Sequence, residues 1–293
     1  MDLALSDFLN LALNGLAEGL LVALPALAVT LVFGVARFPN AAVGDFVSLG
    51  SFGALTAHRL SGGSMLAAGI GAAAAGAAGT WLGWRLAFAP LLRRKGLALL
   101  LTSIGVGFVL RAAMGLGFGH EIKLFDLPPM RAWRWGDLVI NPLDVFVGGM
   151  SLACVVLVFA LLRFTSTGRT MRAIADDMDL ARVVGIDSRA AMTRMWLLSG
   201  IVCGVAGLAY GLKTQVSPES GADMLLPAFA AAVVGGLGNP LGAVLGAIGL
   251  GVLQELSTPF VGFTYKIALS YVAMLLVLLW RPQGLFGRVQ GVR

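Results

Sequence analysis

The chain has 293 residues, of which 58% are hydrophobic and only 12% are charged, and its mean hydropathy is +0.89. Soluble domains carry about one quarter charged residues, so this composition excludes an ordinary soluble domain and indicates a protein that crosses a membrane several times. The net charge of +6 does not indicate a nucleic-acid binder, because the basic residues lie between apolar segments and form no basic face.

Nine apolar segments follow one another along the chain, separated by short polar or charged stretches. A helix needs about 20 residues to cross the hydrocarbon core of a bilayer, and several of the segments reach that length. We therefore predict an all-α fold, a polytopic bundle of eight to nine membrane segments that forms a single transmembrane domain over 1–293. The segments cover residues 11–36, 41–57, 65–90, 97–118, 143–162, 195–212, 225–237, 241–256 and 264–280.

Two regions of this pattern are interrupted by Pro, Asn or Gly, namely FPNAAVGDF at 38–46 and GGLGNPLG at 235–242. Broken backbone at membrane depth is tolerated only where protein or a water-filled cavity surrounds it, and paired interruptions point to the solute path of a transporter. We predict that this path is lined by Asn40, Gly44, Asp45, Asn239 and Gly242. Gly238, Gly242 and Gly246 also have the four-residue spacing of closely packed helices, which is the competing explanation for them.

Three isolated acids, Glu18, Asp45 and Glu255, lie inside the apolar segments. A charge in the bilayer interior is costly, so such an acid indicates a functional role. Asp45 has a second explanation, because Asn40 can cap a helix whose early turns then favour an acid. Glu18 and Glu255 are expected near the outer ends of their segments, at the membrane interface.

Lys and Arg residues set the expected orientation, because they concentrate in cytoplasmic connections. The N-terminus carries Asp2 and Asp7 without a basic residue, so it is predicted to lie outside, as is the connection 119–142. The tryptophans at segment ends, Trp81, Trp84, Trp196 and Trp280, are typical of residues at the membrane interface. The basic residues predicted to be cytoplasmic are Arg93, Arg94, Lys95, Arg163, Arg169, Arg172, Arg182, Arg189, Arg194, Arg281, Arg288 and Arg293, so the C-terminus is predicted to be cytoplasmic.

The connection 163–194 is unusually charged, with 10 of the 36 formal charges of the chain in 32 residues. Its apolar residues recur at helical spacing, which predicts an amphipathic helix over 171–184 that ends at Gly185. A second short helix is expected to start at Asp187 or Ser188 and to lead into the next span. A connection needs only a few residues, so a patterned helix without a partner in its own chain indicates docking to another protein.

Catalytic and metal-binding patterns are absent from the sequence. The two histidines are far apart, Cys154 and Cys203 lie alone in apolar runs, and no G-x-x-x-x-G-K-[ST] phosphate loop occurs. We therefore expect no enzyme, no metal and no cofactor in this chain; if ATP drives it, another chain binds the ATP. A secondary transporter would need a coupling acid deep in a span, and an intramembrane enzyme would need clustered catalytic groups.

The residues also resemble those of a known family. GRTMRAIADDMDLARVVGID at 168–187 resembles the cytoplasmic loop with which permeases of ATP-binding cassette importers contact their ATPases, in the form found in branched-chain amino acid permeases. RFPNAAVGDFVSLGSF at 37–52 and AFAAAVVGGLGNPLGAVLGAIGLGVLQ at 228–254 resemble two further family blocks. RLAFAPLLRRKGLALLLTSIGVGFVLR at 85–111 and RPQGLFG at 281–287 match in the expected order.

The resemblance implies a permease subunit of an importer in the bacterial inner membrane. It implies as partners two cytoplasmic ATPases that bind ATP and Mg²⁺, a second, homologous permease and a periplasmic or lipid-anchored solute-binding protein. Branched-chain amino acids are the expected solute. Ala41 and Val43 stand where the family usually has Phe and His, so urea, short amides, other amino acids and aromatic acids remain alternatives. The expected ATPase contact is formed by Arg172, Asp179, Ala181, Arg182 and Gly185.

Overall fold

Helices dominate the computed structural model, which describes residues 5–92, 94, 96–128, 131–262 and 265–287. Asp2, Arg93, Lys95, Arg288 and Arg293 of the orientation argument lie outside these residues. The α-helices are α1 (Leu5–Ala36), α2 (Val43–Leu60), α3 (Met65–Gly83), α4 (Gly96–Phe118), α5 (Pro142–Phe164), α6 (Ser166–Asp176), α7 (Met178–Val183), α8 (Ser188–Lys213), α9 (Ser220–Gly235), α10 (Pro240–Val261) and α11 (Lys266–Trp280).

The predicted membrane segments are confirmed as helices, because each of the nine overlaps one of α1–α5 or α8–α11. Six helices of the described chain are long and apolar enough to span a membrane, and two shorter apolar ones lie in α9 and α11. The segment 65–90 is less regular than predicted, since α3 continues into a π-helical turn at Trp84–Phe88 and a 3₁₀ turn at Ala89–Leu91. The polytopic helical bundle is therefore the observed architecture.

The fold was predicted to be all-α, but the connection 119–142 contains the two short strands found among the described residues. Strands β1 (Trp133–Trp135) and β2 (Leu138–Ile140) pair antiparallel through a turn at Gly136. The side chain of Asn10 in α1 holds this hairpin, donating to the carbonyl of Asp137 at 3.0 Å and accepting from the N–H of Val139 at 3.1 Å. We call this side of the bundle the hairpin end.

The opposite side, the α6 end, contains α6, α7, the last turn of α1 and the turn between α9 and α10. Helices α1 and α8 are the most buried spans, whereas only about a quarter of the residues in α3, α4 and α5 are buried within the chain. Small residues allow the close crossings: a Cβ on Gly246 would lie 2.5 Å from the Ala231 carbonyl oxygen. The packing explanation thus holds for Gly246, whereas Gly238 has φ +88° and belongs to a turn.

An aromatic cluster at the start of α8 corrects the interfacial prediction for two tryptophans. Trp84 and Trp196 are buried and stacked, with ring centroids 5.8 Å apart, while Trp81 and Trp280 are exposed as expected. Phe38 and Phe88 complete the cluster, with the Phe88 ring 4.5 Å from that of Trp196. Sequence position at a segment end did not distinguish the two cases, because it does not specify which face of the helix meets the bundle.

Candidate functional site

The charged connection folds as two helices, α6 and α7, rather than as the single predicted helix over 171–184. The break lies at Asp177, whose carboxylate accepts hydrogen bonds from the N–H groups of Asp179 at 2.9 Å and Leu180 at 3.0 Å. This is the bonding of a helix N-cap, so Asp177 ends α6 and starts α7. Asp187 caps α8 in the same way, and α8 continues as the span instead of forming a separate short helix.

The end of α7 is confirmed at Gly185, which has φ +83°. The N–H of Gly185 donates to the carbonyl of Arg182, and the N–H of Ile186 donates to that of Ala181, both at 3.0 Å. These two bonds form a Schellman motif, which requires the left-handed conformation that only Gly adopts at low cost. The sequence signal for the turn was therefore correct.

The helix pair has one face on the bundle and one face free of the bundle. Met171, Ile174 and Ala181 are buried against it. Leu180, Val183 and Val184 expose 63%, 84% and 73% of their surface, and their spacing places them on one side of α7. We call these three residues the α7 patch. Contiguous exposed apolar residues on a polar, charged segment are typical of protein interaction sites.

The five predicted coupling residues all lie at the α6 end, in different surroundings. Arg172 reaches back to the bundle and donates to the carbonyl of Leu162 in α5. Arg182 and Asp179 form an exposed ion pair at 3.2 Å on α7. Ala181 is buried and Gly185 forms the turn, so these residues shape the α7 patch from beneath and from its end.

The two predicted halves of the solute path do not meet. Gly44 packs against the start of α9, where its Cβ would lie 2.5 Å from the Gly221 carbonyl oxygen. Gly242 packs against the end of α9, where its Cβ would lie 2.2 Å from the Gly235 carbonyl oxygen. Fourteen residues of helix separate these two points, which corresponds to roughly 21 Å.

Asn239 belongs to the α6 end. Its side chain accepts a hydrogen bond from the N–H of Gly242 at 3.2 Å and donates to the carbonyl of Phe286 at 2.8 Å. It therefore caps α10 and fixes the segment that follows α11. These two hydrogen bonds account for an asparagine at position 239.

Asn40 does not cap α2 as its position had indicated. The helix starts at Val43 with Ala42 at the cap position, and Asn40 instead accepts from the N–H of Ala42 at 3.1 Å. The N–H of Ala41 donates to Ser103 of α4 at 3.0 Å. The amide nitrogen of Asn40 is buried and has no hydrogen-bond partner within the described part of the chain.

Asp45 forms an ion pair that connects α2 to α4. Its Oδ1 accepts from Nε of Arg111 at 3.2 Å and from Nη2 at 3.0 Å. Gly107 allows this approach, because a Cβ there would lie 2.3 Å from Asp45 Oδ2. The Asp45 side chain is 7% exposed and that of Arg111 is 30% exposed, so Asp45 is covered while Arg111 remains partly accessible.

Arg111 was not singled out from the sequence, although a signal existed. It lies within α4, about 22 Å from the start of that helix by the helical rise, so it falls inside the thickness of a bilayer. A basic residue at that depth faces a protein or a water-filled cavity rather than lipid. A lone Arg inside an apolar segment therefore indicates a functional role in the same way as the lone Asp45.

The other intramembrane acids are also neutralised. Glu18 accepts from Lys213 at 2.8 Å, and Asp144 lies 3.1 Å from the same ammonium. Glu255 pairs with Lys266 at 2.5 Å, and both side chains are 12% exposed. Glu255 is therefore largely buried between α10 and α11. These pairs join helices near the hairpin end.

Among the described residues, no cluster of His, Cys, Asp or Glu could hold a metal ion. Six membrane-length helices and ion pairs between the helices define the class: a multi-pass membrane protein. Two solved structures support the fold. A chain of PsaBC from Streptococcus pneumoniae, in complex with Fab, is 15% identical with a TM-score of 0.50 over 94% of this chain and 92% of the other. A chain of an inward-facing transporter, assigned to the metal-chelate type of ABC transporters, is 16% identical with a TM-score of 0.51 over 92% and 84%.

The family follows from the sequence comparison. Residues 11–278 match the family described as branched-chain amino acid transport system, permease component, and the chain belongs to this family. The permease BraD of Pseudomonas aeruginosa is 30% identical over 96% of each chain. The permease LivH of Escherichia coli K12 is 28% identical over 96% of each chain, and LivM of the same organism is 28% identical over 88% of this chain and 66% of its own. The chain is accordingly a multi-pass protein of the inner membrane.

Proposed function

We propose that this chain is the transmembrane permease subunit of an ATP-binding cassette importer that carries a branched-chain amino acid. It binds no nucleotide itself. Two cytoplasmic ATPases hold ATP and Mg²⁺, a second, homologous permease completes the path, and an external solute-binding protein delivers the solute. The N-terminus lies outside and the α6 end is cytoplasmic, which agrees with the arginines of the connection 163–194.

The observation that carries the proposal is the α7 patch. Leu180, Val183 and Val184 are exposed on a helix that is otherwise charged, and both ends of that helix are fixed by Asp177 and Gly185. Coupling between subunits needs a rigid element with different contacts in two states, and a capped helix meets this requirement better than a slack loop. In the proposed complex the α7 patch enters a groove of the ATPase.

The nature of the solute is supported by the pair of Asp45 and Arg111. A free amino acid is a zwitterion, with an ammonium and a carboxylate group close together. Asp45 and Arg111 are 3.0 Å apart and partly exposed at Arg111, and opening this pair would free a carboxylate and a guanidinium, the two charges complementary to a zwitterion. Urea and short amides carry no charge that would engage such a pair. We place the solute path beside Asn40, Gly44 and Asp45, with Arg111 on its wall.

The experiment is purification from the native membrane, followed by reconstitution in proteoliposomes with the partner proteins and radiolabelled leucine. The proposal expects a co-purifying ATPase, and leucine uptake that requires ATP and the solute-binding protein. Uptake that persists without ATP would instead indicate a secondary transporter. ATP-driven uptake of urea or an aromatic acid, but not of leucine, would keep the importer and reject the solute.

A matched pair of variants tests the docking surface. Val183→Glu places a charge in the α7 patch and should abolish ATPase co-purification, because an unpaired charge in an apolar interface is costly. Arg169→Glu changes a charge on α6, outside the patch, and should retain the ATPase. Loss of the ATPase in both variants, or in neither, would argue against docking through α7.

A further inference from the structure

Among the residues that the structure describes, Arg37 is the non-glycine residue whose backbone is left-handed, with φ +54°. It directly follows α1, and its N–H donates to the carbonyl of Phe33 at 2.9 Å. An L-residue with a side chain rarely adopts this conformation, so the surrounding structure must hold it there. The position of the side chain shows what holds it.

The guanidinium of Arg37 contacts the end of α6. Its Nη2 donates to the carbonyl of Ala175 at 2.8 Å and to that of Asp176 at 3.2 Å. The last carbonyls of a helix have no partner within the helix, and a cation there also interacts favourably with the helix dipole. Arg37 thus tethers α6 at the residues immediately before the break at Asp177.

Two cavities adjoin the tether at the α6 end. One, of about 630 Å³, is lined by Arg37, Ile174 and Asp177 among others. The other, of about 1070 Å³, is lined by Arg37, Arg172 and Asn239 among others. Open space therefore adjoins the end of α6 next to Arg37, which gives this end of the helix pair room to shift against α1.

The neighbouring residue connects the same point to α8. Phe38 is buried, with its ring 5.7 Å from that of Phe88 and 6.5 Å from that of Trp196. Trp196 lies in the third turn of α8, the helix that follows the helix pair. Residues 37 and 38 are thus held from α6 by hydrogen bonds and from α8 by aromatic packing.

On the other side, residues 37 and 38 lead directly into the broken segment of the proposed path. Only two residues separate Phe38 from Ala41, whose N–H is fixed by Ser103, and Asp45 follows in the first turn of α2. We propose that Arg37 is a positioning residue that transmits the movement of α6 and α7 to this segment. The inference rests on the proposed function, since it assumes that an ATPase moves the helix pair.

Three substitutions and one control test the tether in the full complex, reconstituted with its ATPases, second permease and solute-binding protein and supplied with radiolabelled leucine. Arg37→Gly removes the side chain and suits a left-handed backbone, so it is expected to fold. Arg37→Met keeps the length but removes the donors, and Arg37→Lys keeps a charged donor. Arg94→Met alters another arginine, which is exposed near the same end.

The measured quantity is leucine taken up per ATP hydrolysed, because loss of stability alone would lower both in parallel. Coupling between sites commonly amounts to 5–150-fold, so we expect this ratio to fall on the order of tenfold in Arg37→Gly and Arg37→Met. Arg37→Lys should recover most of the ratio, and Arg94→Met should match the unmodified complex. Hydrolysis that continues without uptake is the specific signature.

A wild-type ratio in Arg37→Gly overturns the inference whatever Arg37→Met does, because glycine has no guanidinium. A Lys variant as uncoupled as the Met variant also overturns it, since charge and donors would then be irrelevant. If the unmodified complex shows neither ATP-driven nor solute-stimulated activity, the proposed function itself fails, and that result is distinct from a negative result at Arg37.

Discussion

Substitution of Gly185 tests whether the turn after α7 acts through backbone conformation. Apart from its two chain neighbours, no described residue has an atom within 4 Å of a Cβ built on Gly185, so a larger side chain meets open space in this chain. The cost of a substitution therefore comes from φ +83° alone. For an L-residue the left-handed conformation costs about 1–2 kcal/mol, which corresponds to a factor of about 5–30 in a local equilibrium.

This cost acts on the Schellman bonds from Gly185 and Ile186, and so on the end of α7 rather than on the bundle. We expect a graded series in which Gly185→Asn is mildest, Gly185→Ala intermediate and Gly185→Val most severe. Asn tolerates the left-handed region, while a β-branched residue is a genuine outlier there. All three variants should insert into the membrane and assemble normally.

The assay measures leucine-stimulated ATP hydrolysis and uptake in the reconstituted complex, with the amount of membrane-inserted permease as the reference. Stimulation and uptake should decline in the order Asn, Ala, Val. Asn and Val have similar sizes, so equal losses in these two variants would show that bulk in the ATPase groove, and not backbone strain, is responsible. Unchanged coupling in Gly185→Val would refute the reasoning altogether.

Three further tests probe burial, packing and docking. Asp45→Asn should lower the free energy of unfolding by about 3 kcal/mol, the lower end for a broken buried ion pair, because Arg111 is partly exposed. The double variant with Arg111→Gln should recover part of this loss. Equal losses in the single and double variants would contradict a paired role. Gly242→Ala should destabilise the folded chain by about 1–3 kcal/mol in thermal unfolding, because its Cβ would lie 2.2 Å from a backbone oxygen. Gly249→Ala on the same helix is the control: its Cβ would meet open space, so this change should be neutral or stabilising. Leu180→Ser should leave the melting temperature unchanged but weaken ATPase binding, measured by titration of the purified ATPase.

The sequence predicted the spans and the end of the helix pair because those signals are local. Apolar length determines whether a helix can cross a bilayer, and a glycine at position 185 permits the left-handed turn whatever surrounds it. The same holds for the exposed character of the connection 163–194, which follows from its charge. The break at Asp177 is local too. Asp is a favoured N-cap residue, so its position could have indicated the start of a second helix.

The ion pairs and the aromatic cluster could not be predicted in this way. Asp45 and Arg111 are 66 residues apart, and their pairing depends on the rotation of α2 against α4. Trp196 occupies a segment end, as an interfacial tryptophan would, yet packs against Phe38 and Phe88. One sequence states how apolar a helix is but not which neighbour covers each face, so such contacts require the tertiary arrangement.

The separation of the two broken segments also changes how they can act. The sequence indicated two sides of one path, but Gly44 lies at the start of α9 and Gly242 at its end. With roughly 21 Å between these points, one amino acid cannot touch both Gly44 and Gly242 at once. Asn40 and Asn239 also share no hydrogen-bond partner. The two asparagines should therefore affect transport independently.

A double-mutant cycle on Asn40→Ala and Asn239→Ala tests this independence through the rate of leucine uptake. Asn239→Ala removes a cap and a hydrogen bond at the α6 end, and Asn40→Ala removes a turn bond at the start of α2. Sites more than 7–10 Å apart without shared partners usually add within about 0.5 kcal/mol, so the effect of the double variant should equal the product of the single effects within about twofold. A larger departure would mean that the two segments form a single binding site in another state of the transporter.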